Sequence, residues 1–407
     1  MKELRVALVG PYPPPFGGIA SHLTTLIPGL MARGAADVAV VAFGATDSIQ
    51  NEHGATIYRV NAKTRARDTV RSHPVRTALH AARLAAWRLS PRRWLAEAVR
   101  AQIVDEIVTQ HRSNVVAFYQ SNDAIELMAL RRLWGDARGV ILTVFGEVYD
   151  DPEFLSSRRR ALGALLSSAD ALLSSSNHCA KSYARLGLPH RIEVLYYGVE
   201  LERFSGISRQ QGKKRYSFSD ADVVALFMGR FTEDMGLGAV IETAPTLLER
   251  HGALRFVLAG AKGPLADAAA RLASAHPGRV LVIHDVPFAE QPYLYAASDI
   301  VLTPTRDQHA CMGMSIKEAM AAGRAVVGSD AGGIPEAIRE GETGYLVPLD
   351  SDGAVSKAKF VEAISRLVSD APRRDAFGRV GRALAERIFS HERTVDRVHE
   401  VLRSVAR

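Results

Sequence analysis

The sequence predicts an α/β protein made of two Rossmann-like, doubly wound domains that face a cleft. Short apolar runs, typical of strands buried on both faces, alternate with helical stretches through both halves of the chain. A polar, basic segment with two glycines, residues 205–222, separates the halves and is predicted to be a linker. The length of 407 residues also favours two domains. Ligands of such sheets bind beyond the carboxyl ends of the strands, so the loops there are candidate functional elements.

The first domain begins with a β-α-β pattern. The run "LRVALVG" at Leu4–Gly10 predicts a buried strand, and "VAVVAF" at Val38–Phe43 predicts the next one. Between them, "GGIASHLTTLIPGLMARG" has helical apolar spacing and ends at Gly34. Four further runs are predicted to be strands of this domain: Val115–Tyr119, Val140–Val144, Ala171–Ser174 and Ile192–Tyr196.

The second domain repeats the alternation of strands and helices. Six apolar runs are predicted to be its strands: Val223–Met228, Arg255–Gly260, Val280–Asp285, Asp299–Pro304, Ala325–Asp330 and Gly344–Pro348. A helix fits each gap between them. The segment "HERTVDRVHEVLRSVAR", residues 391–407, is predicted to be an amphipathic helix that follows the completed second sheet.

The composition limits the classes of function. The chain has neither a signal-peptide pattern nor a run of about 18 apolar residues that could span a membrane, which favours a cytoplasmic location. Its two cysteines lie outside any CxxC pattern, which argues against a structural zinc site. The net charge of +7 comes entirely from residues 63–112, where eleven Lys and Arg stand against four Asp and Glu. The rest of the chain is balanced, so a nucleic-acid partner is not expected.

The basic stretch 63–112 allows two interpretations. Its helical pieces place Trp87 and Trp94 beside Arg88, Arg92 and Arg93. One interpretation is a solvated helical insertion whose tryptophans fill the core. The other is a surface for an anionic membrane or a lipid-linked acceptor, because tryptophan and arginine are typical of membrane interfaces. The second interpretation places the protein peripherally on the inner face of the membrane.

Two strand-end loops carry candidate ligand-binding residues. After the first strand there is no GxGxxG fingerprint, and the chain has no Walker A sequence, but Gly17 and Gly18 precede a helix. Glycines there let an anion or sugar approach the backbone N–H groups of a helix start. Arg230 follows the strand Val223–Met228, where a guanidinium can clamp a phosphate. The alternative for Arg230 is a surface ion pair with Glu233 or Asp234.

Glu318 lies in a predicted helix after the strand Asp299–Pro304. Ser315 and Glu318 have the S-x-x-E spacing of a capping box, which is the structural interpretation of this glutamate. The functional interpretation is a carboxylate that accepts two hydrogen bonds from a diol such as a ribose. Gly313 just before the helix permits close backbone approach, and the free N–H groups of the helix start suit a diphosphate.

The second half resembles the GT-B glycosyltransferases, specifically retaining family 4. The resemblance rests on five motifs in this order: "GRFTEDMG", "FVLAGAKGP", "LYAASDIVLTPT", "MGMSIKEAMAAGRAVVGSDAGGIPEAI" and "GETGYLV". The first half adds "PPPFGGIASHLTTL" and "IEVLYYGVELERF". The resemblance implies an acceptor domain at 1–203, with residues 386–407 packing back on it, and a nucleotide-sugar donor domain at 204–385. It also implies transfer with retention, no required metal and no cofactor besides the donor.

The resemblance assigns roles to individual residues. It implies that Arg230 binds the donor diphosphate and that Glu318 binds the ribose. It further implies that Gly313, Met314 and Ser315 present their backbone to the phosphates or the sugar. Gly17 and Gly18 are implied to lie at the donor from the other side.

Three positions depart from the family pattern. Ala310 stands at the first glutamate of the E-x7-E pair, Met235 at the lysine that accompanies Arg230, and Phe145 at a cleft histidine. These departures indicate either a pseudoenzyme or a subgroup that replaced the groups. Nearby candidates for replacement are Glu147, His309, Lys317 and Lys262. Of these, Glu147 and His309 are the candidate catalytic residues beside Arg230, and Lys317 is expected to be solvated.

The function expected from these observations is sugar transfer. The nucleotide-sugar donor would give its sugar to a glycan or lipid-linked acceptor, in surface polysaccharide or glycolipid synthesis. Because the leaving diphosphate can itself take the proton of the acceptor hydroxyl, the route needs no strong protein base. The alternative is a catalytically impaired GT-B binding subunit that supports a partner enzyme. A sugar-nucleotide epimerase fits the glycine-turn motifs less well.

Overall fold

The computed structural model describes residues 3–13, 17–84, 90–119, 125–145, 159–160, 162–184, 187, 191–308 and 310–407. The chain divides into two compact units. Unit 1 comprises Met1–Tyr196 and Thr394–Arg407, and unit 2 comprises Tyr197–Arg393. The boundary between Tyr196 and Tyr197 lies a few residues before residue 203, the predicted end of the first domain. The return to unit 1 likewise begins a few residues after the predicted position 386.

Unit 1 is built on an eight-stranded sheet with the order β3-β4-β2-β1-β5-β6-β7-β8. Its strands are β1 Leu4–Val9, β2 Ala35–Phe43, β3 Ser48–Glu52, β4 Ala55–Val60, β5 Val115–Phe118, β6 Gly139–Val144, β7 Ala171–Ser174 and β8 Glu193–Val194. All neighbours pair in parallel except β3 and β4, which form an antiparallel hairpin at the edge. This hairpin is absent from the sequence-based prediction because β3 is polar and largely exposed.

The helices of unit 1 connect and cover this sheet. They are α1 Gly18–Ala32, α2 Ala62–Ser72, α3 Pro74–Arg83, α4 Pro91–Gln110, α5 Ile125–Trp134 and α6 Asn177–Ala184. The core is formed by the apolar strands and by α4, whose Val99, Val104 and Val108 are fully buried. Trp94 of α4 is partly buried and packs against this core, as the insertion interpretation expects of it. Trp87, the other predicted tryptophan, lies outside the described residues.

Unit 2 is built on a six-stranded, fully parallel sheet with the order β11-β10-β9-β12-β13-β14. Its strands are β9 Val223–Met228, β10 Leu254–Gly260, β11 Val280–His284, β12 Ile300–Thr303, β13 Ala325–Ser329 and β14 Gly344–Val347. All six predicted strands are confirmed within a residue or two at each end. The sheet order reverses direction at β9 and β12, which is the topological switch point where ligands of open α/β sheets bind.

The helices of unit 2 follow its strands, as expected for a doubly wound sheet. They are α7 Leu201–Ser205, α8 Arg209–Arg215, α9 Leu237–Arg250, α10 Ala266–Ala275, α11 Gln291–Ala297, α12 Met314–Ala321, α13 Lys357–Ser369 and α14 Ala371–Ile388. The last helix, α15 His391–Val405, continues into unit 1. The α/β fold class predicted from the alternation is therefore confirmed for both units.

The prediction that residues 205–222 form a linker is wrong. Within 205–222, Ser208 and Gln211 form a complete capping box at the start of α8. Lys213 of that helix is buried, and its Nζ lies 3.3 Å from Oδ2 of the buried Asp299. An added Cβ at Gly212 would come within 2.4 Å of the Ala297 backbone nitrogen. The polar residues that suggested a linker are thus the cap and the buried cation of a packed helix.

The C-terminal helix α15 is packed tightly in unit 1. The backbone carbonyl of Val405 lies where an added Cβ at Gly139 would be, at 2.0 Å, so only glycine fits at the start of β6. Arg397 forms two hydrogen bonds, of 2.5 and 2.9 Å, with the carboxylate of Glu193. The fully buried Val395 and Leu402 belong to its apolar face. Residues 394–407 are therefore part of the unit 1 core.

In the described part of the chain, no helix combines the length and apolar character needed to cross a membrane.

Candidate functional site

Two strand ends of unit 2 meet through glycine backbone. Gly260 ends β10 with φ of +140°, and an added Cβ there would lie 2.0 Å from the carbonyl oxygen of Gly229. The Gly229 amide donates to the Ala259 carbonyl at 3.0 Å, which ties the end of β9 to β10. Only glycine tolerates both the backbone conformation and the close approach at 260. The ends of β9 and β10 are therefore joined by direct backbone contact.

The loop after β9 is also fixed to the loop after β12. Gly236 has φ of +79°, and an added Cβ there would lie 1.7 Å from the Pro304 carbonyl oxygen. The carbonyl of Asp234 accepts hydrogen bonds from Thr305 Oγ1 at 2.6 Å and from the Arg306 amide at 3.0 Å. The two loops on either side of the switch point therefore form one rigid structure.

A third loop, after β13, completes this arrangement. Gly332 has φ of +53°, and an added Cβ there would lie 2.3 Å from the Ala310 carbonyl oxygen. The same carbonyl accepts the Gly333 amide at 2.8 Å, and Ser329 Oγ donates to the Thr305 carbonyl. Ala310, which stands where the family pattern has a glutamate, thus serves here through its backbone as a loop–loop contact.

Helix α12 begins at this group of loops without a side-chain cap. Its N-cap residue is Gly313, with φ of +74°, and among the described residues no side chain caps its first turn by a hydrogen bond. Met314 and Ser315 are the first two residues of the helix, and their N–H groups belong to its positive end. The capping-box interpretation of Ser315 and Glu318 is therefore wrong. An uncapped helix start beside bare strand ends is suited to an anion such as a diphosphate.

Glu318 is held in the interior by a tyrosine. Its side chain is buried, with 8% of the residue exposed, and Oε2 accepts a 2.6 Å hydrogen bond from the Oη of Tyr295 on α11. Burial raises the pKa of the Glu318 carboxyl, while the Tyr295 hydrogen bond and the charges of Arg203 and Lys317 act in the opposite direction. Burial likewise raises the pKa of Tyr295 well above its usual value, so its proton stays on the phenol.

Lys317, next along the helix, is buried rather than solvated, so that prediction is wrong. Only 2% of the residue is exposed, and its Nζ donates a 2.7 Å hydrogen bond to the Tyr197 carbonyl. The ammonium also lies 5.9 Å from the centre of the Phe389 ring. Burial lowers the pKa of Lys317 to about 7, although the neighbouring Glu318 works against this shift. Two segments distant in sequence therefore cover a side chain that helical periodicity would leave in water.

Arg203 is the second cation near Glu318, and sequence reasoning missed it. Its Nη2 donates to the Phe288 carbonyl and to Gln291 Oε1, the latter at 3.0 Å. Its guanidinium stacks on the Phe288 ring, 3.4 Å from the ring centre. Burial lowers the pKa of Arg203, and the nearby Glu318 carboxylate opposes that shift. The sequence signals for these partners were the motifs "LYAASDIVLTPT", which contains Tyr295, and "IEVLYYGVELERF", which contains Arg203, but neither motif placed these side chains beside Glu318.

Arg230 lies on the surface of the loop after β9. Its side chain is 60% exposed, and Nη2 donates a 2.9 Å hydrogen bond to Oδ2 of Asp234, so the predicted alternative ion pair is present. An exposed ion pair of this kind contributes only about 0–1 kcal/mol, so it leaves the guanidinium available to an anionic ligand. Arg230 and Glu318 belong to the loop and helix that follow the adjacent strands β9 and β12.

The remaining predicted site residues fall into two groups. Met235 is half-buried and packs against the core of unit 2, and Phe145 is buried at the end of β6. Glu147 and His309 lie outside the described residues, so their catalytic roles stay predictions. The described residues contain no group of three His, Cys, Asp or Glu side chains placed to hold a metal ion.

Gly17 and Gly18 lie in unit 1, at the start of α1. Gly17 is the N-cap of that helix, with an extended backbone at φ of −164°, and no atom lies within 4 Å of the Cβ that another residue would add. Neither backbone conformation nor packing requires glycine at position 17. The predicted contact of Gly17 and Gly18 with the donor stays a prediction.

Comparisons with known proteins match both halves of the chain. A family model described as "Glycosyltransferase Family 4" matches residues 16–203, and one described as "Glycosyl transferases group 1" matches residues 222–370. The D-inositol 3-phosphate glycosyltransferase of Thermobifida fusca is 27% identical over 261 residues, which cover 61% of this chain and 58% of that protein. Against several other curated relatives, the chain spans about half to three fifths of their length.

Two further comparisons extend over more of the chain. The GDP-mannose-dependent alpha-(1-6)-phosphatidylinositol monomannoside mannosyltransferase of Mycolicibacterium smegmatis is 28% identical over 298 residues, covering 71% of this chain and 76% of that protein. The solved structure of Anabaena HepE in complex with UDP and glucose has a TM-score of 0.71 at 15% identity, covering 99% of this chain and 100% of that one. The two family models together cover most of the chain, and the fold is that of the solved relative. The chain therefore belongs to the GT-B glycosyltransferases, with a family 4 domain followed by a group 1 domain.

Proposed function

We propose that this protein transfers a sugar, with retention, from a nucleotide-diphosphate sugar that unit 2 binds. The observation that carries the proposal is the arrangement around α12. There, the uncapped helix start at Gly313 and the buried carboxylate of Glu318 lie within two turns of one another. The helix start suits the diphosphate, and Glu318 suits the hydroxyls of a ribose.

The leaving diphosphate gains negative charge as the glycosidic bond breaks. The N–H groups of Met314 and Ser315 and the guanidinium of Arg230 would stabilise that charge more strongly in the transition state than in the ground state. Arg230 would exchange its exposed pairing with Asp234 for a charge-assisted contact with phosphate. The acceptor hydroxyl would attack on the face that the diphosphate leaves, and a diphosphate oxygen would take its proton. Because this step needs no strong protein base, it is compatible with a phenylalanine at position 145.

The acceptor is proposed to be a glycan or a lipid-linked sugar in the synthesis of a surface polysaccharide or glycolipid. A relative named for a phosphatidylinositol mannoside substrate supports a lipid-linked acceptor. The second candidate function is a GT-B binding subunit without turnover. The observation that favours it is the replacement of three polar family positions by Ala310, Met235 and Phe145, of which Met235 packs against the core of unit 2 and Phe145 is buried.

Calorimetric titration with UDP and with GDP tests the donor site directly. Wild-type protein is expected to bind one of them, and Arg230→Ala is expected to weaken that binding by about tenfold or more, because a charge-assisted contact is lost. Arg366→Ala is the matched control, since Arg366 is equally exposed and pairs with Glu362 one turn away. Failure of both nucleotides to bind, or equal binding by Arg230→Ala and wild type, would overturn the donor-site assignment.

Turnover of UDP- and GDP-sugars, each with a panel of glycan and glycolipid acceptors, separates the two candidate functions. Nucleotide binding with acceptor-dependent release of UDP or GDP, and appearance of the sugar on the acceptor, indicates a transferase. Nucleotide binding without any turnover indicates the binding subunit. The anomeric configuration of the product, read by NMR, tests retention.

A further inference from the structure

The basic segment of unit 1 forms the three helices α2, α3 and α4. Both α2 and α3 pack against α4, which packs into the core. Helices α3 and α4 run antiparallel, because His73 Nε2 lies 3.1 Å from Glu106 Oε1 and Arg76 Nη1 lies 3.4 Å from Asp105 Oδ2. These pairings fix which face of α3 points inward.

Helix α3 buries polar side chains and exposes aliphatic ones, which is unusual for a helix on a protein surface. Its inward face buries the polar side chains of Thr77 and His80 together with the small Ala81, while its outward face carries Val75, 71% exposed, and Leu79, 48% exposed. Val75 and Leu79 are one helical turn apart and so lie on the same side. Leu95, near the start of α4, is 45% exposed. Among the described residues, these three make up half of the strongly exposed large apolar side chains. A soluble helix ordinarily places such residues on the covered face.

The charge exposed by these helices is more positive than the sequence count indicates. Two of the four acids in the segment, Glu97 and Asp105, are buried. Oδ1 of Asp105 also accepts a 2.7 Å hydrogen bond from Nε1 of Trp134. In contrast, Arg71 and Arg92 are exposed, as are five more cationic side chains of the segment: Lys63, Arg65, Arg67, Arg76 and Arg93. Arg76, next to Val75 on α3, and Arg93, near the start of α4, are themselves exposed, whereas the acids they face, Asp105 and Glu97, are buried.

We propose that the outward face of α3, together with the start of α4, docks on the surface of an anionic lipid bilayer. Val75, Leu79 and Leu95 would enter the boundary between headgroups and acyl chains, and the exposed arginines would bind lipid phosphates. An amphipathic helix with cations beside its apolar stripe is typical of binding in the plane of such an interface. Each cation near an anionic leaflet contributes about 1 kcal/mol, so several act together with the aliphatic stripe. The surface lies outside the proposed donor site, so it can be tested independently.

Sedimentation of the full chain with vesicles tests the proposal. Vesicles of phosphatidylcholine alone are compared with vesicles containing phosphatidylglycerol, at low and high salt. Wild-type protein is expected to sediment with the anionic vesicles at low salt only. A Val75→Ser/Leu79→Ser variant is expected to lose about tenfold in bound fraction, because its aliphatic side chains no longer leave water. An Arg71→Gln/Arg92→Gln variant is expected to need a higher fraction of phosphatidylglycerol for the same binding, because two of the seven exposed cations are lost.

Val380→Ser, on α14 of unit 2, is the matched control, because Val380 is similarly exposed outside the patch. Circular dichroism and nucleotide titration confirm that each variant is folded. Equal sedimentation of wild type and Val75→Ser/Leu79→Ser, or equal binding to both kinds of vesicle, overturns the proposal. Concentration-dependent dimerisation that disappears in the Val75→Ser/Leu79→Ser variant, without vesicle binding, also overturns it and assigns the face to a second copy of this chain.

Discussion

The phenolic Oη of Tyr295 donates a 2.6 Å hydrogen bond to Oε2 of Glu318, and both side chains are buried in unit 2. This contact joins α11 to α12, the helix whose start faces the strand ends. A buried carboxylate is stable only with such partners, because removing a charge from water is costly. The hydrogen bond therefore orients the Glu318 carboxylate, and it opposes the rise that burial causes in the pKa of Glu318.

Tyr295→Phe is expected to weaken nucleotide binding most at low pH. Burial already raises the pKa of Glu318, and loss of the phenolic donor would raise it further, since that hydrogen bond favours the charged carboxylate. Affinity for the nucleotide would then decline at a higher pH than in wild type. Calorimetric titrations between pH 5 and about 8 check this shift. Tyr293→Phe on the same helix is the control, because Tyr293 stacks with Arg215 instead; an identical pH profile for Tyr295→Phe and wild type would contradict the prediction.

Lys317→Met is expected to change the pH dependence of stability. The pKa of Lys317 is about 7 in the folded chain and near 10.5 when exposed, so unfolding takes up a proton between these values. The free energy of unfolding of wild type should therefore rise with pH from about 7 upward, relative to Lys317→Met, by at most about 1.4 kcal/mol per pH unit. Below pH 7 the difference should stay constant, because both states are protonated. Urea unfolding at several pH values checks this, with the exposed Lys359→Met as control; parallel curves for wild type and Lys317→Met would rule it out.

Gly236→Ala is expected to destabilise unit 2 by about 2–4 kcal/mol. The added Cβ would overlap the Pro304 carbonyl at a backbone conformation that alanine rarely adopts, so the loops after β9 and β12 must separate. Gly252→Ala is the matched control, because nothing lies within 4 Å of its added Cβ. Urea denaturation of both variants measures the difference. Comparable stability of the two would show that the loops absorb the methyl group without strain.

Asp234→Asn is expected to tighten nucleotide binding by about two- to fivefold, because the exposed ion pair that competes for Arg230 contributes only about 0.5–1 kcal/mol. The backbone carbonyl of Asp234, which accepts Thr305 and Arg306, is unchanged by the substitution. Titration with UDP and GDP measures the effect against Asp267→Asn, an exposed acid on α10. Weaker binding by Asp234→Asn would mean that Asp234 orients Arg230 rather than competing with the ligand.

The sequence predicted the strands of unit 2 well, because parallel strands buried on both faces are continuous apolar runs. It missed the β3–β4 hairpin, since polar edge strands lack that signal. Arg230, Gly313 and Glu318 could be placed by the rule that ligands bind at strand ends. The partners of Glu318 could not be predicted. Tyr295 and Arg203 reach it only through tertiary packing, and the carbonyl that accepts Lys317 comes from Tyr197, 120 positions earlier.

The packing of Val405 against Gly139 has a consequence for biosynthesis. Residues 394–407 belong to unit 1, although unit 2 precedes them in the chain. During translation, unit 2 can therefore fold as soon as its own segment has left the ribosome. Unit 1 can complete its folding only after α15 has been synthesised. The order in which the two units mature is thus the reverse of their order along the polypeptide, and a nascent amino-terminal unit leaves the apolar surface under α15 uncovered until synthesis reaches that helix.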